Sequence, residues 1–212
     1  MTEISTPRTC LRDPVPEIFY AADLLQQAIY AHLAGDRSRA ESLLRAADMD
    51  SVREWTESIW GAGSQYVKVR PVGGGPAILD KADRIPVRMP NAAEKKSLHN
   101  RDGFNCRFCG IPVIRKEVRA ELNRLFPDAV PWGRKNIEQH AALQAMWLQY
   151  DHVLPHSRGG NNDLSNVVIT CAPCNFGRMD NLVEEVGLID PRTRPSLKSD
   201  WGGLEELLGA TH

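Results

Sequence analysis

Two adjacent residues, Asp151 and His152, close a short run of strand-like residues, and Asn166, Cys171, Cys174 and Asn175 all follow within the next two dozen positions. A neutral imidazole takes a proton from water near pH 7 because its ordinary pKa lies close to that value, so His152 can serve as a general base. Asp151 and Asn175 offer oxygen donors, which select hard ions such as Mg2+ or Mn2+ and leave positions for water and a phosphate oxygen. Cys106 and Cys109 form one Cys-x-x-Cys pair, and Cys171 and Cys174 form a second. Four thiolates suit tetrahedral zinc, and with every position filled by sulfur such an ion is structural. Hydrolysis of a phosphodiester needs an in-line nucleophile, neutralisation of charge at phosphorus and help for the departing alkoxide, and residues for each need are present. Taken singly, the Asp151-His152 pair also fits a capped strand end with a surface histidine. The cysteines alone also fit redox thiols or an iron-thiolate site, but neither explains why the second pair runs straight into Asn175.

The pattern resembles the HNH, or ββα-metal, nucleases found in bacteriocins, homing endonucleases, restriction enzymes and phage-defence systems. It rests on Asp151-His152, Pro155, the Gly159-Gly160 turn, Asn166 and Cys171 to Asn175. Asn175 stands where the family's name places its last histidine, which makes this an H-N-N version. The resemblance covers about residues 97–180 with an insertion, and says nothing about the first 60. It implies an α+β fold: a ββα-metal nuclease core with zinc knuckles, preceded by a small helical module. It further implies a metal-dependent endonuclease with His152 as base, a divalent metal on Asp151 and Asn175, structural zinc, and nucleic acid, expected to be DNA, as partner. In this reading Asn166 orients the hairpin that presents His152. His156 contacts the scissile or a flanking phosphate, and Arg178, where the family carries Lys or Arg, stabilises the leaving group. Arg158 fits a phosphate contact and a solvated surface equally well.

The elements that must position these residues follow from local signals. Asp151-His152, the turn formers Gly159 to Asp163 and the β-branched run after Asn166 predict strand, turn, strand, then a helix from Asn175. Upstream, Pro16 and Glu17 open a helix to about Leu33 with Ile18, Ala22, Leu25 and Ile29 on one face. Asp36 caps a second helix, and Ser51 with Glu54 forms a capping box for a third, running through Trp60. The expected organisation is a helical module over 1–61 and a linker with one candidate strand (66–70) over 62–90. A nuclease domain over 91–190 with a helical insertion at 111–148 and a tail with a short helix over 191–212 complete it. Asn91 with Glu94 is a second capping box, opening a Lys-rich helix to about Asn100. Within the insertion, helices are expected over 113–126 and 136–150, and helix continues over 182–186. On the second of these helices Trp147 lies on the apolar face. Trp132, Trp147 and Tyr150 therefore read first as core and second as a base-stacking platform. His140 reads first as a helix-face histidine and second as a ligand.

Composition sets outer bounds. With 212 residues, 42% hydrophobic, the chain can build a real core, and the net charge of −1 conceals a division. Residues 1–60 sum to −4, residues 61–120 to +7, and the basic block ahead of the presumed site suits phosphate attraction. No 18-residue apolar run and no secretory leader pattern occur, so a cytoplasmic protein off the membrane is the expectation. Cys10, the fifth cysteine, reads as an incidental thiol. Two other readings remain open at this level. One is a zinc-stabilised nucleic-acid-binding module without cleavage, and the other an effector whose N-terminal helices dock a protein partner that regulates cutting.

Overall fold

A computed structural model describes residues 7–60 and 63–209. α1 (Pro16–Leu33) begins with Pro16 in its first turn, where a missing N–H costs nothing, and buries Ile18, Ala22, Leu25 and Ile29 as the spacing predicts. Asp36 accepts a hydrogen bond from the Arg39 backbone N–H at 3.0 Å and so caps α2 (Arg37–Ala46). The third helix, α3 (Asp50–Ile59), starts one residue before the expected capping box, and its N-cap Met49 makes no side-chain cap. Burial rather than capping holds it: Trp55 and Ile59 are fully enclosed, and Trp55 Nε1 donates to the Asp13 carbonyl at 2.8 Å.

These helices share one hydrophobic core with the rest of the protein, running from Leu11, Ile29 and Trp55 through Ala142 and Val168 to Cys174. α3 packs against both α6 (Ala141–Ala145) and α7 (Ala172–Arg178). The approach to α7 is close enough to require glycine. A Cβ at Gly177 would lie 2.6 Å from Ile59 Cγ2 and 2.7 Å from Leu11 Cδ1. Cys10 is part of this core, and burial pushes its thiol up to about 12.

The segment after α3 differs from expectation. Residues 66–70 form no strand; Arg70 N–H bonds the Glu185 carbonyl at 2.7 Å, but no ladder follows. Residues 76–89 instead run as a strap beside the connection between the two later strands. Leu79 N–H donates to Ser157 O at 2.8 Å, and Arg158 Nη1 to Pro76 O at 3.0 Å. α4 (Ala92–Asp102) then opens with the complete Asn91–Glu94 capping box.

α5 (Lys116–Leu125) is shorter than the span 113–126. The larger departure is at 136–150, which splits into a 3₁₀ turn (Asn136–Glu138), the five-residue α6 and the strand β1 (Leu148–His152). Helical periodicity loses there to long-range pairing. Ile114 N–H donates to Met146 O and Leu148 N–H to Ile114 O, at 2.8 and 2.9 Å, and these bonds draw the chain out of the helix at Trp147. Buried His140 caps α6, Nδ1 accepting from Leu143 N–H at 3.4 Å while Nε2 donates to Leu44 O at 2.9 Å. β1 pairs antiparallel with β2 (Val167–Cys171), setting Asp151 opposite Val168 and His152 opposite Val167. α7 follows β2 without a break and stops at Met179, whose positive φ of 56° ends it; 182–186 hold no helix, turns running over 183–187 instead, and α8 (Glu206–Gly209) closes the described chain. The architecture is α+β, and no helix among the described residues is long and apolar enough to cross a membrane.

Candidate active site and cysteine cluster

The end of β2 and the start of α7 deliver Cys171 and Cys174 to the loop that carries Cys106 and Cys109, and the four sulfurs lie within 4.8 Å of one another. Cys109 and Cys171 Sγ are 3.6 Å apart. A tetrahedral ion with metal–sulfur bonds of about 2.3 Å would place its sulfurs about 3.8 Å apart, so the set fits such an ion with little adjustment. The loop is locked to the sheet independently, because Arg107 N–H donates to Ile169 O at 2.9 Å. Buried Asp102 accepts from Ile169 N–H at 3.0 Å and pairs with Arg101 and Arg107.

A cleft of about 650 Å³, lined in part by α7, brings together Asp151, His152, His156 and Asn175 with Lys81 and Arg88 of the strap. Among the described residues the Asn175 amide, Lys81 and Arg88 have no hydrogen-bond or ion-pair partner, so their polar groups are available to a ligand. Asp151 is nearly enclosed. Burial pushes its carboxyl up, and the Arg178 guanidinium beside it pulls the other way. Each carboxylate oxygen retains a lone pair beyond its bond to Arg178, so Asp151 and Asn175 still fit as oxygen donors to a hard divalent ion.

Arg178 is fully buried, and all five of its N–H groups are taken. Nη2 donates to Asp151 Oδ1 at 2.5 Å and to His152 O at 2.7 Å, and Nε to Asp151 Oδ2 at 3.2 Å. Nη1 serves Asn181 O at 2.6 Å and Val153 O at 3.4 Å. Arg158 is similarly engaged, by Asp180 O, Pro76 O and the Glu185 carboxylate. His156 Nε2 bonds the Ile85 carbonyl of the strap at 2.8 Å. Asn166 brackets Leu154: its Oδ1 accepts from the Leu154 N–H at 2.9 Å, and its Nδ2 donates to Leu154 O at 3.2 Å and Asn161 O at 2.9 Å. The loop closes so tightly that a Cβ at Gly160 would lie 1.8 Å from Leu154 O, which explains glycine there.

Asn162, read from sequence only as a turn former, governs His152. Its Nδ2 donates to Val87 O at 2.9 Å. A carbonyl can only accept, so the amide must turn Oδ1 toward His152 Nε2, also 2.9 Å away. Nε2 therefore carries the hydrogen, and the lone pair lies on Nδ1. Burial lowers the His152 pKa, with His156 and Arg88 acting in the same direction against Asn162 and Asp151, so the imidazole is neutral at pH 7. No local signal marks this arrangement, since Val87 and Asn162 are 75 positions apart.

The basic block of 61–120 divides on folding. Arg101, Arg107 and Arg115 are taken up by carboxylates and carbonyls, and Arg119 lies 3.8 Å over the Trp132 ring. Lys81, Arg88 and Lys96 remain available to solvent.

Residues 142–187 match the family model described as HNH endonuclease. The match spans Asp151, His152, Asn166 and Asn175 and supports the resemblance those residues carry; it supports nuclease activity in general, with nucleic acid as substrate class. Comparison with curated proteins and with solved structures gave no match.

Proposed function

We propose that this protein is a metal-dependent endonuclease that hydrolyses phosphodiester bonds in DNA, with His152 as its general base. The observation that carries the reading is the single cleft onto which a neutral, tautomer-fixed His152, the Asp151 carboxylate and the unpaired Asn175 amide open beside two free cations. As a water oxygen attacks phosphorus, His152 Nδ1 takes its proton; the new P–O bond forms while the bond to the leaving oxygen breaks, and that oxygen leaves with the electron pair and is protonated by solvent. Asp151 and Asn175 would hold a divalent ion, which when bound supplies neutralisation of the charge added to the phosphate and to the leaving oxygen. Lys81 and Arg88 engage backbone phosphates on either side of the cut. Asn166 fixes the loop behind His152. Arg178 acts as a positioning residue that aims Asp151, because it has no donor left for a leaving group. His156 steadies the strap through Ile85 O rather than touching phosphate. Cys106, Cys109, Cys171 and Cys174 hold structural zinc, which ties the site to the sheet.

Incubating plasmid and single-stranded DNA with the purified protein and Mg2+ or Mn2+ tests the proposal. The expected result is metal-dependent cleavage, abolished by chelator and reduced about 10²- to 10⁴-fold in His152→Ala, with DNA binding retained. Cleavage by His152→Ala at the wild-type rate, confirmed in a second preparation, would overturn it.

A further inference from the structure

A second cavity, of about 670 Å³, lies next to the catalytic cleft and shares Met89, Gln149 and Tyr150 with it. Gln149 and Tyr150 lead along β1 directly into Asp151, so at about 3.3 Å per strand residue the shared wall lies within about 7 Å of the Asp151 backbone. Phe104, Trp147, Tyr150 and His99 line this cavity, and Lys95, Lys96 and Lys116 stand around it. Core aromatics in this protein are sealed, as Trp55 and Phe126 show, whereas Phe104, Trp147 and Tyr150 all keep part of their surface exposed. Of the three aromatics that raised a stacking reading, Trp147 and Tyr150 reach the cavity, and Trp132 lies outside it.

We infer that this cavity receives a nucleobase of the strand being cut, next to the scissile phosphate, so that the substrate is single-stranded or locally opened DNA. The inference rests on the nuclease reading and adds the form of the substrate. Its volume lies within the roughly 300–1,000 Å³ of small-molecule sites, room enough for a nucleotide. Aromatic surfaces stack any base, and a lysine-rich rim follows the phosphates, the combination that single-strand binders use. Lys95 already sits 5.2 Å from the Tyr150 ring centroid, so a base entering there meets cation and ring together. The acidic residues in the wall do not oppose this. Glu205 is bonded to Arg115 Nε at 2.7 Å and Glu117 lies 3.7 Å from the same guanidinium, which leaves the rim net basic. The Gln149 amide, without a protein partner among the described residues, offers a donor and an acceptor to the base edge. A base held here has left its stack, which costs least in single-stranded or frayed DNA.

The test uses the full chain carrying His152→Ala, so that binding is read without cleavage. Probes are a labelled single-stranded oligonucleotide containing 2-aminopurine and the duplex of the same sequence. The single strand is expected to bind at least about ten-fold more tightly than the duplex, with 2-aminopurine emission quenched on stacking. Tyr150→Leu should remove the quenching and weaken single-strand binding about ten-fold, leaving duplex affinity unchanged. Lys96→Glu with Lys116→Glu, both on exposed side chains, guards against misfolding and should weaken the single-strand complex by a similar factor. Equal affinity for both probes, with neither variant altering single-strand binding, would overturn the inference. If the wild-type protein still cuts DNA with metal in that case, the cavity reading fails alone; if it neither cuts nor binds DNA, the nuclease reading fails with it.

Discussion

Replacing Asn162 separates a tuned general base from a histidine that merely sits in the cleft. The amide is held by Val87 O and in turn holds Nε2–H of His152, which keeps the lone pair on Nδ1. Asn162→Ala deletes one neutral hydrogen bond with a net worth of about 0.5–1.5 kcal/mol, so the cleavage rate should fall about 2- to 13-fold above the acid limb, and the limb itself should move to lower pH because that contact raises the His152 pKa. Asn162→Asp does something different. A carboxylate against Nε2–H favours the imidazolium and raises the His152 pKa, opposing the burial that lowers it in the native protein. Only the neutral imidazole accepts a proton from water, so the active fraction rises with pH through that pKa. The native acid limb should lie below pH 6.5, and in Asn162→Asp it should move up by about one pH unit or more, with activity returning toward pH 9. Single-turnover cleavage of a labelled oligonucleotide from pH 5 to 9 at saturating metal reads both effects. An acid limb at the same pH in Asn162→Asp as in the native enzyme would refute the contact and the tautomer argument together, since a purely structural residue would change the amplitude and leave the limb in place.

The protein as isolated should contain one zinc per chain by elemental analysis, and Cys109→Ser with Cys174→Ser should lose it. A structural zinc contributes about 10–16 kcal/mol of apparent binding energy, comparable to the whole stability of a typical domain at about 5–15 kcal/mol, so the double variant should unfold; less than half an equivalent of zinc in native protein would contradict the site. Arg178→Ala should cost about 3–5 kcal/mol of stability because it leaves Asp151 buried beside no counter-charge, a loss visible in denaturant melts; a lowered cleavage rate at unchanged stability would return Arg178 to a role at the phosphate. His140 is buried neutral with both ring nitrogens bonded and a pKa lowered chiefly by burial. Its contribution is therefore complete above the unfolded value near 6.5 and is lost as pH falls toward the folded one. His140→Asn should flatten the acid decline of stability by up to about 1.4 kcal/mol per pH unit below pH 6.5, and unchanged slopes would show that His140 does not titrate on unfolding.

Features that depend on neighbours in the chain were legible in the sequence. The caps at Asp36 and at Asn91 with Glu94 act over three residues, the apolar stripe of α1 repeats at helical spacing, and the turn between β1 and β2 is written in Gly159 to Asp163. Two Cys-x-x-Cys pairs likewise announced a four-sulfur cluster, because each pair is a local turn and only one partner pair exists. Side-chain chemistry also marked Asp151, His152 and Asn175, which converge on one cleft. What those residues face was decided by tertiary structure. Helical periodicity over 136–150 gave way to bonds with Ile114 and to pairing with β2, since a long-range ladder outweighs propensities of a few tenths of a kcal/mol per residue. Charge counting described 61–120 as one basic block, yet whether a cation finds a carboxylate depends on packing, and Arg101, Arg107 and Arg115 are paired with Asp102 or Glu205 while Lys81 and Arg88 are not paired among the described residues. Arg178 looked like a leaving-group stabiliser by position, and enclosure engaged all its donors. The hydrogen on His152 Nε2 is set by Asn162 and by the Val87 carbonyl, and only the folded chain brings that carbonyl to the site. Residue types and spacing thus pointed to the reaction proposed for this protein; burial and long-range hydrogen bonds decided which of those residues keep free polar groups in the cleft.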